Sequence, residues 1–404
     1  MQSQAPSSSS SLFSAFVPLL PLMLAVFTAF FVSGMGFPIV PRHVHDTLGM
    51  GTFLVGVTMG AQYLSSILVG RLWSGHVTDE NGAKPATAFG ALGIACVGLF
   101  YLASLALVRQ PGLSLGVLVA GRLVTGIAEA FIITSTLSWG IARTGPAHTG
   151  KVIGWIGMAL FAAYGFGAMA GAAVYARSGF AGIAVATVAI PLVALAITLR
   201  IPGVPPTHVQ RPAFYAVVGL VKLPGLALTL SSFGYAAINA FIALLWLQRG
   251  WGSAAIAFLA MGAGFIVARL AVGHLPDKLG GARVAGVCVA AEAAGQLLIF
   301  FTASEAVACI GAALTGAGYA LAFQGFGVEA VTRAPPESRG AAMGGYVAFQ
   351  DLSMGLAGPF GGWLALQAGL DAVYLLGAVT AVASVGIAWW MVRSGASPSV
   401  ARAT

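Results

Sequence analysis

The 404-residue chain is predicted to be an all-α membrane protein, with twelve transmembrane helices in two six-helix bundles related by a pseudo-twofold axis. Three observations predict this. First, 58% of the residues are apolar and 7% are charged, against about 25% charged in soluble domains. Such a chain cannot cover itself with polar surface, so lipid must be the solvent for most of its exterior. Second, twelve apolar runs are long enough to cross a hydrocarbon core of about 30 Å as helices. Third, Gly75-His-Val-Thr-Asp79 recurs 198 positions later as Gly273-His-Leu-Pro-Asp277, each copy with Arg-Leu beginning four residues before the Gly. One half of the chain is written twice.

The runs cover 15–40, 51–77, 85–108, 114–142, 152–175 and 181–199 in the first half, and 223–248, 253–275, 284–302, 306–333, 341–367 and 372–392 in the second. We number them spans 1 to 12. Span 1 contains Pro18, Pro21 and Pro38, tolerable where neighbouring helices satisfy the freed backbone groups. Spans 2 and 8 end on the repeated motif. Span 4 lies on span 10 at an offset of 190: Thr125-Gly-Ile-Ala-Glu-Ala130 meets Thr315-Gly-Ala-Gly-Tyr-Ala320, and Arg143 meets Arg333. Spans 5 and 11 carry glycine series, Gly165, Gly167 and Gly171 in one, Gly355, Gly358, Gly361 and Gly362 in the other. Glycine in lipid lets helices approach closely and slide past one another.

The domain organisation follows. Residues 1–14 form a Ser-rich, uncharged, disordered cytoplasmic tail without the basic n-region and short h-region of a cleaved signal peptide. Residues 15–199 make the N-terminal bundle, and 200–222 a cytoplasmic linker with Pro202, Pro205, Pro206 and Pro212. Residues 223–393 make the C-terminal bundle, and 394–404 a cytoplasmic tail. With both termini inside, the short loops and tails place twelve Lys and Arg on the cytoplasmic side and four outside, namely Arg42, Arg109, Arg177 and Arg249. This asymmetry accounts for the net charge of +8, so no nucleic-acid partner is implied. Cys96, Cys288 and Cys309 lie within spans and form no disulfide or zinc pattern. The six histidines show no metal-ligand spacing, and no nucleotide motif or catalytic constellation indicates an enzyme or a cofactor.

The chemistry lies in charges kept inside spans. Arg122 and Glu129 are seven residues apart on span 4, so they share a helix face about 10 Å apart. An ionisable group at the bilayer midplane costs roughly 2.5–3.5 kcal/mol on insertion scales, so the pair points to an aqueous cavity or a partner helix. The matching span 10 positions are Ala312 and Tyr319, which makes the charges additions to a shared scaffold. Proton or substrate handling and a structural ion pair both fit. Asp351 in span 11 is the other midplane acid, with Gly344, Gly355 and Gly358 on its face, and is read as a protonatable group. Gln62 with Thr58 and Ser66 on span 2, and Asn239 with Ser232 and Tyr235 on span 7, form polar faces. Together with Tyr319, Gln324, Trp139 and Arg122 they are candidate substrate contacts in a mixed polar and aromatic cavity. Glu292 in span 9, with Gln296 one turn on, has no assigned role.

The loop after span 2 reads Gly75-x3-Asp79-Glu80-Asn81-Gly82-Ala83-Lys84, and its second copy Gly273-x3-Asp277-Lys278-Leu279-Gly280-x2-Arg283. Span 4 reads Arg122-x2-Thr125-Gly126-x-Ala128-Glu129-Ala130. In these motifs the chain resembles the major facilitator superfamily over essentially its whole length, and within it the bacterial permeases labelled YhhS-like or arabinose-efflux-like. It departs at Glu80, where the family usually has Arg or Lys, and span 5 lacks the proline of the exporter signature. The spacing places Asp79 at the cytoplasmic end of span 2, facing the positive N-terminus of a helix such as span 11.

The resemblance implies that this contact latches the two halves and breaks when the carrier opens inward. Gly75, Asp79, Gly82, Lys84, Arg143, Gly273, Asp277, Arg283, Glu329 and Arg333 are the expected latch and gate. It further implies a monomeric carrier in the bacterial inner membrane that works by alternating access on a small molecule. The expected partners are that molecule, protons carried by Glu129 and Asp351, and the lipid bilayer. The preferred expectation is proton-driven export of a small organic molecule. Proton-coupled uptake or facilitated diffusion of a nutrient would use the same residues. A non-transporting receptor or scaffold would need larger loops than these.

Overall fold

The computed structural model describes residues 8–145, 148–206, 214–335 and 339–394, which are helical with no strand among them. The first seven residues of the expected tail, 207–213 of the linker, the tail from 395 and the side chain of Asp277 lie outside the described residues.

Each span is realised as a helix, labelled α1 to α12. Helix α1 is Ser8–Gly36, continued by a short helix, Val40–Arg42, and a π turn, His43–Thr47. Helix α2 consists of Thr52–Ser65, a π turn Ser66–Gly70, and Arg71–Asn81. Then come α3 (Ala83–Ala106) and α4 (Pro111–Thr144). Helices α5 (149–178) and α6 (180–200) share the helical stretch Thr149–Arg200. The second half holds α7 (Phe214–Gln248), α8 (Ala255–Val272), α9 (Gly281–Phe301), α10 (Glu305–Thr332), α11 (Arg339–Ala368) and α12 (Asp371–Arg393).

Three boundaries differ from expectation. Helix α1 begins at Ser8, inside the expected tail, because serine disfavours a helix only slightly and the apolar Leu12–Phe13 lies just beyond. Helix α7 begins at Phe214, nine residues before 223, since Pro224 removes one backbone bond without ending the helix. No loop separates α5 from α6: Gly179 alone turns the chain, at φ 59° and ψ −158°, a conformation that glycine adopts without steric cost. The fold-back is tight enough that a methyl on Gly182 would sit 2.9 Å from the Val174 side chain.

The internal repeat is visible in the packing. Helix α1 packs on α5 as α7 packs on α11, α3 on α4 and α6 as α9 on α10 and α12, and α2 on α4 as α8 on α10. The two main seams between halves, α2 with α11 and α5 with α8, exchange under the same relation. The loop motif repeats in the backbone too: Gly82 and Gly280 hold φ of 94° and 93° between equivalent helices, which explains a glycine at both. Trp389 and Trp390 are exposed at the end of α12, and the Arg393 guanidinium lies 3.8 Å above the Trp389 ring, an arrangement suited to a membrane interface.

Candidate functional site

The halves meet through glycine at the end of the molecule opposite the linker, here called the far end. A methyl on Gly56 of α2 would come within 1.9 Å of the Gly358 carbonyl oxygen of α11, and one on Gly60 within 2.5 Å of the Gly355 oxygen. Thr52 Oγ1 donates to the Gly362 carbonyl at 2.9 Å. Nothing larger than glycine permits this approach. Towards the linker end, residues 71–81 of α2 pack mainly on α3 and α4 of their own half, and open space lies beside Gly344 of α11 and Gly157 of α5.

Between these ends, the π turn at Ser66–Gly70 carries a further contact. Ser66 Oγ donates to Asp351 Oδ2 at 3.0 Å, joining α2 of one half to α11 of the other, and both residues are buried. Single π turns inside helices often mark functional positions. On the first-half side, Ser33 Oγ of α1 donates to Glu129 Oε1 at 2.6 Å. Arg122 is 1% exposed and does not pair with Glu129: its Nη2 points at the Met59 sulfur, 3.9 Å away, and its Nε has no hydrogen-bond partner. It borders a cavity of about 10 Å³ shared with Ser33 and Thr125, at the lower limit for one water molecule. Tyr63 of α2 lies within electrostatic reach of Arg122, Glu129, Asp351 and Tyr235. The three charged residues expected from sequence therefore share one central region, and neither Arg122 nor Glu129 forms an ion pair with another helix among the described residues.

The second half contributes aromatic rings. Tyr235 of α7 stacks on Tyr319 of α10 with centroids 4.6 Å apart and planes 14° from parallel, and Phe161 of α5 meets both edge-on. Asn239, Ser232 and the hydroxyls of Tyr235 and Tyr319 are buried in loose pairs, Tyr235 beside Asn239 and Tyr319 beside Ser232, without a well-formed hydrogen bond, and the side-chain amide of Gln62 on α2 is buried without any partner. Unsatisfied buried polar groups are costly, about 1–3 kcal/mol each. Here they are grouped in the middle of the bundle.

The Major Facilitator Superfamily family model matches residues 22–224 and again 224–404. The chain belongs to this superfamily. It is 36% identical over 377 residues to an uncharacterized MFS-type transporter of Salmonella typhimurium, covering 93% of this chain and 97% of the relative. It is 35% identical over 380 residues to one of Pseudomonas aeruginosa, covering 94% of each. Among solved structures, the D-xylose-proton symporter superposes with a TM-score of 0.73 at 16% identity, covering 93% of this chain and 97% of that one. The human organic anion transporter MFSD10 does so with 0.69 at 14%, covering 95% and 100%. The fold is that of the superfamily, and the protein is a multi-pass membrane transporter of this family, whose members carry small molecules.

In this superfamily transporter some expected site residues lie elsewhere than the centre. Trp139 is fully buried near the linker end of α4, and its indole N–H donates to the Pro202 carbonyl at 3.2 Å, so it anchors the linker rather than facing a cargo. Gln324 Nε2 donates to the Gly273 carbonyl at 2.7 Å, tying α10 to the second loop motif.

Of the latch residues, Lys84 Nζ donates to the Leu199 carbonyl at 2.7 Å and so caps the C-terminus of α6. Gly75 is buried, Asp79 half-buried, and Arg283 exposed. Glu329 Oε1 accepts from the Ala282 backbone N–H at 2.9 Å, at the start of α9, while Arg333 Nη1 donates to Glu329 Oε2 at 3.0 Å. A carboxylate there satisfies an unpaired helix amide and faces the positive end of the dipole. The equivalent of Glu329 in the first half is Trp139, so Arg143 lacks the acid one turn back, and its Nη1 is buried without a partner.

Sequence reasoning missed Ser33, Tyr63 and Phe161. Ser33 had a signal, as a rare hydroxyl in the apolar run of span 1. Tyr63 and Phe161 had none, because aromatic residues are common on any membrane helix.

Proposed function

We propose that this transporter is a proton-coupled antiporter that exports a small organic molecule across the bacterial inner membrane by alternating access, with Asp351 and Glu129 binding the protons. The observation that carries the reading is the Ser66–Asp351 hydrogen bond at 3.0 Å. A carboxyl that bridges the halves must exchange this bond for a proton or a cargo group when they part. Because proton and cargo compete for the same carboxyl, occupancy by one excludes the other, which is the logic of exchange. By the distribution of Lys and Arg, the linker end is cytoplasmic. The closed glycine seam then faces outside, and the arrangement corresponds to an inward-facing step of the cycle.

Gln62, Tyr235, Asn239 and Tyr319 supply cargo contacts, since their polar atoms are buried without a well-formed hydrogen bond. Arg122 supplies the positive charge for an anionic group. The loop motif and its Asp79 act as the latch in the opposite, outward-facing step.

A thermal-stability screen of purified protein finds the cargo, because a ligand that binds the folded form raises its melting temperature. Vesicle assays with that cargo then decide the coupling. A proton gradient is expected to drive cargo against the direction of proton flow, and Asp351→Asn combined with Glu129→Gln to abolish the effect. Movement of cargo with the protons, or transport indifferent to pH in the wild type, refutes antiport.

A further inference from the structure

We propose that Glu292, at the middle of α9, is an additional proton-binding site, located in the second half and connected to the centre through hydroxyl groups of α7 and Tyr319 of α10. Its role in transport rests on the proton-coupled reading above; its protonation does not. Glu292 is 0% exposed, and the polar side chain set beside its carboxyl is the Ser231 hydroxyl of α7, too loosely placed for a well-formed hydrogen bond. No Lys or Arg among the described residues forms an ion pair with it. Of the titratable groups on the helices packed around it, Cys288 lies one turn away on α9, and Tyr319 on α10 is within electrostatic reach, with Tyr235 of α7 and Tyr374 of α12 the other buried ones; Lys222, Arg283, Glu305, Cys309, Glu329, Asp371 and Arg393 stand towards the ends of their helices. None of the groups near the middle of these helices is a cation. An ionised carboxylate buried with no cation beside it is strongly disfavoured, so in this arrangement the group holds a proton.

A structural explanation is weak for two reasons. Gln296, one turn on, already ties the helices together, its Nε2 donating to the Gly234 carbonyl at 3.2 Å and to Thr315 Oγ1 at 3.0 Å. At the equivalent place in the first half, 198 positions earlier, stands Ile94, so the scaffold needs no acid there. Glu292 is also positioned for transfer. A methyl on Gly318 would lie 2.8 Å from Glu292 Cβ, so the side chain runs directly over α10 beside Tyr319. The adjacent hydroxyls of Ser231 and Ser232 on α7 are buried, the first set beside the Glu292 carboxyl and the second beside the Tyr319 hydroxyl. Tyr319 in turn stacks on Tyr235 at the centre. The two serines thus stand between Glu292 and the Tyr319–Tyr235 pair, the route assigned to the proton.

Infrared difference spectra of the purified transporter, recorded between acidic and alkaline pH, test the site directly. A protonated-carboxyl band is expected that Glu292→Gln removes and Glu292→Asp displaces, that gives way to carboxylate bands as pH rises, and that exchanges deuterium more slowly in Ser232→Ala. Should Glu292→Gln fail to fold, Glu292→Asp still identifies the band. A band that never titrates, or one that neither variant alters, overturns the proposal. In vesicles, the ratio of protons to cargo is expected to fall in Glu292→Gln. An unchanged ratio overturns the transport role. Absence of proton flux in the wild type would instead refute the antiport reading and leave the infrared result standing.

Discussion

The Ser66 hydroxyl of α2 donates to the Asp351 carboxylate of α11 at 3.0 Å, so a bond between two side chains crosses between the halves beside the glycine seam, whose far end holds the Thr52–Gly362 bond. Such a bond contributes about 0.5–1.5 kcal/mol net. Ser66→Ala is therefore expected to shift the balance between closed and open far ends by roughly two- to tenfold. The rate at which a thiol reagent modifies a cysteine placed at Thr52 reports the shift, which is towards faster modification.

Gly358→Ala is predicted to act on the same seam by shape alone. A methyl there would lie 2.2 Å from the Gly56 carbonyl oxygen, and overpacking of this kind costs about 1–3 kcal/mol or more. The far end is expected to stay open, with transport reduced by about tenfold or more while the protein remains folded. Normal transport with a closed far end would contradict the assignment of this seam.

Glu329→Ala should lower stability without changing coupling. It removes the acceptor for the Ala282 N–H and leaves Arg333 without its carboxylate, at a cost of about 1–3 kcal/mol. The expected readout is a lower melting temperature in detergent with an unchanged ratio of protons to cargo. Glu329→Gln, which keeps an acceptor oxygen, should recover part of the loss.

Gly82→Ala and Gly280→Ala are expected to cost similar amounts, about 1–2 kcal/mol each, because both positions hold positive φ. Thermal unfolding of the two variants measures this. Markedly unequal losses would show that the two loop motifs are not equivalent in their local environments.

Trp139→Phe separates anchoring from cargo binding. It deletes the 3.2 Å bond to Pro202, with a cost of about 0.5–1.5 kcal/mol, and leaves cargo affinity unchanged. Weakened cargo binding would return Trp139 to the central site.

Much of this was legible in the residues. The repeated Gly-x3-Asp motif, the offset of span 4 on span 10 and the length of each apolar run foretold twelve helices in two halves. Arg122, Glu129 and Asp351 stood out because charge within a span is expensive wherever it faces. Polar residues of ordinary cost gave no such guidance: Gln62 and Asn239 lie at the centre, whereas Gln324 and Trp139 are held at the linker end, and their spans read alike. Ser33 carried no such mark and Ser66 only a place on the polar face of span 2, as hydroxyls in membrane helices usually bond the carbonyl four residues back, as Thr58 does to Leu54 at 2.8 Å.

The sequence by itself determined that the chain lives in lipid, that its halves are copies, and that Arg122, Glu129, Glu292 and Asp351 are kept where charge is costly. These are consequences of composition and periodicity, which act locally along each helix. Only the tertiary structure decided which partners the charges take. Glu129 bonds Ser33, 96 residues away, and Asp351 bonds Ser66, 285 residues away. Such pairings depend on how closely glycine lets α2 and α11 approach and on the π turn that sets Ser66, and backbone approach between distant segments leaves no periodic trace in the chain.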